Sequence, residues 1–411
     1  MEVLEIGEPQ TTALTPRLKT KLLSCGLSFF VSGINDGSLG PLIPYVREAF
    51  ALNTDMVAIL YACTFAGWLC AAVTNTHLQQ RLPLGSLMFL GAVLQLLAHT
   101  LRQWVPPFPL YVLTFFVASL GQAYQDTHAN TFVAQVKLAH RWLGFIHAMY
   151  MAGCLVGPIL ATAIASSGPD SIWGLFYMVP LGLAVLNLGS VCHAFRESII
   201  MRAAAEDQER ASQRNAVSDI KKTLGNGSVW LLSLFFFCLL GTVTTASGWI
   251  VEYLVHARGG DVTYMGYVPA GFNGGSFLGR LLLAEPTYRL GERRMVFLYT
   301  VLCLGFQLVF WLVPNIIAAA IAVSLLGFFS GPLFATGISV ASKLFVPHIR
   351  SSALAFVFVL GQAGGSMLPA LTGILASRVD VKVLQPMLVG LLAATGISWL
   401  LIPKAKPMRP E

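Results

Sequence analysis

Asp36 and Asp126 each stand inside a run of apolar and small residues long enough to cross a lipid bilayer. An ionised side chain in such a place costs at least ~2.5–3.5 kcal/mol, so its presence needs a reason. A carboxyl held there can carry a proton, because removal from water favours its neutral form and opening to water restores the charged one. The alternative for each acid is a hydrogen bond to a neighbouring helix, or to a turn beside Gly37 and Pro41. Gln122, Asp126 and Asn130 recur at i, i+4 and i+8, which on a helix makes one polar stripe along an apolar span, facing water or solute. Trp249 and Tyr253 offer an aromatic face for an apolar or sugar ring, or else an interfacial belt. Glu252 lies near the end of the same run, where an ion pair with Arg258 is the blander reading. Asn273, Thr336 and Gln362 are candidate hydrogen-bonding groups in a cavity, or glue between helices. His147 and Tyr150 could join a proton relay, although packing serves as well.

Other chemistries lack their residues. There is no GxxxxGK[ST] phosphate loop, so ATP hydrolysis supplies no energy. A membrane enzyme would need a His-rich box, HExxH or paired intramembrane aspartates on facing motifs, and none occurs. The seven cysteines lie in apolar runs or at their edges, with no disulfide or metal spacing. The chain reads as no enzyme, with no cofactor and no metal.

The elements that must hold these residues are membrane helices. Hydrophobic residues make up 55% of the 411 and charged residues 11%, against about 25% charged in an ordinary soluble domain. Twelve runs of spanning length begin near Leu22, Asp55, Leu84, Pro109, Trp142, Ile172, Ser228, Val262, Met295, Asn315, Ser351 and Val383, the last ending near Pro403. Runs such as Trp230 to Leu240 do not alternate, which excludes barrel strands. An even count places both termini on one side. Of 26 Lys and Arg, only Arg47, Arg102, Arg258, Arg378 and Lys382 fall opposite, so both termini are expected in the cytoplasm. The net charge of +7 is then explained by loops beside membrane lipids, with no nucleic acid. Residues 1–21 form a cytoplasmic segment without a cleaved signal, 22–195 a six-helix bundle, 196–227 a charged cytoplasmic linker, 228–403 a second bundle and 404–411 a tail.

A shift of 208 positions aligns the two bundles. It pairs Gly33 with Gly241, Gly40 with Gly248, Tyr45 with Tyr253, Gly67 with Gly275 and Arg81 with Arg289. Gly153 and Gly157 fall on Gly361 and Gly365. Gly153-Cys154-Leu155-Val156-Gly157-Pro158 also permits close helix contact and a kink.

Residues 33–44, Gly-Ile-Asn-Asp-Gly-Ser-Leu-Gly-Pro-Leu-Ile-Pro, together with Gln125-Asp126-Thr127-His128-Ala129-Asn130, resemble the major facilitator superfamily, in its fungal bypass-of-stop-codon and fucose-permease-like branch. Gly248-Trp249-Ile250-Val251, Gly266-Tyr267 through Gly279-Arg280, Gly361-Gln362-Ala363-Gly364 and Leu384-Gln385-Pro386 extend the likeness over nearly the whole chain. The resemblance implies the all-α major facilitator fold, with twelve transmembrane helices in two six-helix pseudo-repeats. Helices one, four, seven and ten would line a central cavity holding Asn35, Gln122, Gln125, Asn130, Trp249, Glu252, Asn273, Thr336 and Gln362. Proton symporters of this kind carry acids on helices one and four, which marks Asp36 or Asp126 as the proton-coupling group. Arg81, Arg280, Arg289, Arg293 and Arg294, with Gly153, Gly157 and Pro158, would gate. Of the usual charges in the loop between helices two and three, 75–83 keeps only Arg81.

The expected function is transport of a small organic substrate by alternating access, proton-coupled, by a monomer in the plasma membrane. Efflux of a secondary metabolite stands ahead of proton-driven uptake of a sugar-like solute. A sensor built on a transporter scaffold is the remaining alternative.

Overall fold

The computed structural model describes residues 15–136, 139–167, 172–200, 223–345 and 347–403. Twelve long helices account for most of them. These are α1 (Pro16–Ala49), α2 (Thr54–Arg81), α3 (Leu84–Gln103), α4 (Phe108–Ala134), α5 (Ala139–Ala165) and α6 (Met178–Ile200), then α7 (Gly227–His256), α8 (Val268–Leu282), α9 (Glu292–Leu312), α10 (Ile316–Leu344), α11 (Pro347–Arg378) and α12 (Leu384–Leu401). Most of the expected linker and the whole tail lie outside the described residues.

The starts follow local chemistry. Thr15, Asn226 and Asn315 cap α1, α7 and α10 through their side chains, supplying an acceptor to first-turn N–H groups. Several boundaries differ from the sequence expectation: α6 begins at Met178, after a 3-10 turn over Trp173–Tyr177, and not near Ile172, and α11 begins at Pro347 and not near Ser351. Helix α1 begins six residues before Leu22, because Thr15 and Pro16 form a capped start ahead of the apolar run. The eighth span, expected from Val262, opens as a one-turn helix (Val262–Met265), and α8 proper follows a break at Gly266-Tyr267, with Pro269 in its first turn.

Nine helices among the described residues are long and apolar enough to cross a membrane. The three that fall short are α1, α4 and α8, which carry Asp36, Asp126 and Arg280 respectively. Helix α8 falls short by its length of 15 residues, while α1 and α4 carry polar groups along their spans.

Packing repeats with the sequence. Helix α1 packs on α5 as α7 does on α11, α2 on α4 as α8 on α10, and α3 on α6 as α9 on α12. The two bundles meet through α2 with α11, α5 with α8, and α1 with α7. Small residues allow the closest crossings. A Cβ on Gly33 would overlap the Tyr150 carbonyl oxygen, and one on Gly153 the Phe30 carbonyl. Gly33→Ala is therefore expected to force α1 off α5 at a cost of about 1–3 kcal/mol, seen as a lowered melting temperature of the purified protein. An unchanged melting temperature would show that this crossing is loose.

The apolar cores show which way the molecule is open. Toward the end of α1 a single cluster joins the two bundles, running from Ile34, Leu42, Val46 and Tyr61 to Trp249, Ile250, Phe272 and Phe310. Toward the start of α1 the cores are separate, one of Leu22, Phe29, Met88 and Phe195, the other of Leu232, Phe236, Tyr299 and Trp399. The bundles are thus fused at the face where α1 ends and parted at the face where it begins.

Candidate functional site

Halfway along α1, the Asp36 carboxylate accepts three hydrogen bonds. Gln122 of α4 donates to Oδ2 at 2.8 Å, Tyr150 of α5 donates to the same oxygen at 3.0 Å, and Asn35 donates to Oδ1 at 3.1 Å. The side chain is nonetheless exposed. Helix α1 is surrounded by α4, α5, α6, α7 and α8, so that exposure opens into the space between the bundles. Asp126 lies on the same α4 stripe, near enough to Asp36 for the two charges to interact, with Gln122 and Ser32 beside it. Its Oδ1 is buried without a hydrogen-bond partner. The Asn130 amide donates to the Asp126 backbone carbonyl at 2.9 Å, which continues the stripe by one turn. Both acids and Gln122 are therefore brought together, while Asn130 bonds within its own helix one turn further on.

Arg102 joins this group against expectation. The sequence places it on the membrane surface, but its side chain is only 2% exposed. It donates from Nη1 to Asn35 Oδ1 at 3.0 Å and from Nε to Thr114 Oγ1 at 2.9 Å, and lies 3.9 Å from the Phe115 ring centroid. Two hydrogen bonds and a π face compensate the desolvated charge, at the low dielectric where each is worth most. Asn35 thus couples a buried cation on α3 to the acid on α1. The available signal was His99 and Arg102 at i and i+3, two titratable groups on one face of an apolar helix.

Other candidates fall elsewhere. Gln125 is fully buried among α3, α4 and α6, where it accepts from Gln95 and Asn187 and donates to the Met88 carbonyl. It belongs to helix packing. Asn273 on α8 donates to the Cys154 carbonyl of α5 at 2.9 Å and so pins the two bundles together. Thr336 is buried in α10 and Gln362 is half-buried in α11. His147 sits edge-on to Phe29 and within 6.3 Å of Phe334, touching both bundles.

The aromatic residues of α7 close the far face. Trp249 is buried, donating to the Pro369 carbonyl at 3.0 Å and packing against Tyr61 of α2. Tyr253 is buried against Phe310 and accepts from Arg258. Glu252 pairs with Arg47 of α1 and not with Arg258, whose guanidinium is spent on the Tyr253 hydroxyl and the Phe310 and Trp311 carbonyls. That ion pair crosses between bundles. His256 adds a ring nitrogen 3.4 Å from Glu252.

The expected gating arginines divide. Arg289 pairs with Glu285 at 2.5 Å on the exposed surface, Arg293 donates to the Leu400 carbonyl, and Arg81 and Arg294 are exposed. Glu292, from the same charge cluster, binds Lys343 and Ser339 of α10 within its own bundle. Gly153 and Gly157 meet α1 at Phe30 and Ile34, just before Pro158. Arg280 leaves the surface cluster and turns toward Tyr150, Cys154 and His147 of α5.

A family model of the Major Facilitator Superfamily matches residues 25–285 and 232–411. The chain belongs to this superfamily. Its members are transporters and not enzymes, and this one is a multi-pass membrane protein whose cargo class is the small solute. It is similar to bypass of stop codon protein 6 of Saccharomyces cerevisiae, 25% identical over 96% of this chain and 85% of that one. Protein spinster homolog 1 of Xenopus tropicalis is 29% identical over 50% of this chain and 39% of its own. Solved major facilitator structures share the fold. A D-xylose-proton symporter superposes with a TM-score of 0.77 at 13% identity, over 95% of this chain and 99% of its own. The E. coli fucose:proton symporter gives 0.68 at 15%, over 95% and 100%. A bacterial homolog of the human lysosomal transporter Spinster gives 0.71 at 12%, over 95% of each chain.

Proposed function

We propose that this transporter moves a small organic solute by alternating access, and that a proton on the Asp36–Asp126 pair drives the movement. The observation that carries this reading is the Asp36 carboxylate, taking donors from α1, α4 and α5 while open to the space between the bundles. Protonation turns one of its oxygens into a donor. Where the proton is taken by Oδ2, which accepts from both Gln122 and Tyr150, one of those donors must withdraw or reverse, and the Tyr150 hydroxyl reverses by rotating in place, since it both gives and accepts. An Asp36 O–H donating to Tyr150 frees the tyrosine proton for the solute. A proton also relieves the repulsion between the two carboxylates. Proton arrival therefore reorganises the contact of α1 with α4 and α5, the rearrangement that a rocking bundle needs.

The direction we assign is efflux of a metabolite, from a cytoplasmic face at the start of α1, supported by the basic residues there and by the Gly153–Pro158 kink. Proton-driven uptake of a sugar-like solute is the second reading, favoured by the names of the xylose and fucose symporters that share the fold. Labelled candidate solutes in proteoliposomes under an imposed pH gradient separate these. The gradient is expected to drive accumulation, its polarity giving the direction, and Asp126→Asn to reduce it. Flux indifferent to the gradient would leave a facilitator with structural aspartates.

A further inference from the structure

Among the described residues Arg280 makes no ion pair and no hydrogen bond through its side chain, and its Nε is buried without a partner. Arg47 and Arg102 also leave one nitrogen each without a partner, at Nε and Nη2, but each has its charge compensated through the others. Arg102 has Asn35, Thr114 and a ring face, and Arg47 has Glu252. Arg280 sits on α8, where the second bundle meets α5, close enough to Tyr150 and Cys154 to interact electrostatically, with His147 near it as well. Tyr150 in turn donates to Asp36. Asp36 has its own three donors, so it does not neutralise Arg280. Glu285, the nearest acid along the chain, is paired on the surface with Arg289. A guanidinium taken from water without its anion is unfavourable, and its fork matches a carboxylate or another planar oxyanion.

Resting on the transport reading above, we propose that the solute is an organic anion whose carboxylate is received by Arg280, with the Tyr150 hydroxyl as second donor. The anion occupies the second bundle's side of the space, and the proton-carrying acids face it from the first. Binding then ties the two bundles through the solute itself, and release of the Tyr150 proton from Asp36 strengthens the carboxylate's hold. Substrate and proton thus bind cooperatively through one hydroxyl.

The test is thermal stabilisation of the purified, detergent-solubilised full chain by matched pairs of probes: benzoate with benzyl alcohol, and glucuronate with glucose. At least one carboxylate is expected to raise the melting temperature saturably while its neutral partner does not. Arg280→Gln should abolish that shift, and Arg280→Lys should retain it at weakened affinity, keeping charge without the fork. If Arg280→Gln does not fold, the Arg280→Lys affinity decides, and an unchanged value overturns the proposal. Stabilisation by the neutral partner that survives Arg280→Gln, or no stabilisation by either carboxylate, overturns it too. Gradient-driven transport of a neutral solute would sink the anion assignment alone. Arg280-dependent carboxylate binding with flux indifferent to pH would sink the coupling reading alone.

Discussion

Asp36→Asn is expected to abolish proton-driven accumulation while solute exchange continues. Asparagine reproduces the protonated acid in shape and in carrying both a donor and an acceptor, so the site is held in one of its two states. With its oxygen where Oδ2 now lies, it still accepts from Gln122 and Tyr150, and of the three bonds only the one from Asn35 is lost. The fold therefore survives, whereas Asp36→Ala leaves three donors facing an apolar methyl, at about 1–3 kcal/mol for each that finds no water. What the asparagine lacks is the proton itself. Uphill flux in proteoliposomes should drop by about two orders of magnitude, the ordinary worth of a positioned proton-transfer group, and counterflow of labelled solute at equal pH should stay near wild type. Retention of gradient-driven accumulation in the variant would move the proton site to Asp126 or remove coupling altogether.

Arg47→Ala should open the face at which α1 ends. Glu252 is 2% exposed, and its carboxylate answers to Arg47 across the boundary between bundles. Removing one member of a buried pair leaves the other uncompensated, at about 3–5 kcal/mol. The pair exists only while the bundles are closed on that side, so the cost falls on the closed state, and the ratio of open to closed rises roughly a hundredfold to several thousandfold. Leu42, 1% exposed in the shared core at that face, reports the change. As Leu42→Cys in a background without the seven native cysteines, it should react faster with a maleimide in detergent once Arg47 is replaced. Adding Glu252→Gln removes the orphaned charge and should return the rate toward its starting value. Equal labelling in all three proteins would show that the apolar cluster closes this face without help from the ion pair.

The two acids were legible because a charge inside a spanning run is conspicuous whatever surrounds it, and the stripe Gln122, Asp126, Asn130 because a helix sets its own periodicity. Arg102 was not legible. It stands one residue from the end of α3, where an arginine ordinarily reaches headgroups, and only the approach of Asn35, Thr114 and Phe115 from two other helices makes burial affordable. Gln125 shows the converse: it stands beside Asp126 in sequence, yet the 100° turn per residue points it at α3 and α6, away from the acids. Glu252 was assigned a neighbour in sequence and found one across the bundle boundary.

The chain by itself determined the membrane helices, their duplication and the acids on α1 and α4. Insertion energy is a sum over each span's own residues, and a duplication leaves its register in the chain. Only the tertiary structure decided which donors meet Asp36, that Arg47 closes on Glu252, and that Arg280 stands without an anion. Those pairings depend on the depth and crossing of separate helices, set by small-residue contacts such as Gly33 against α5, and no local pattern encodes them.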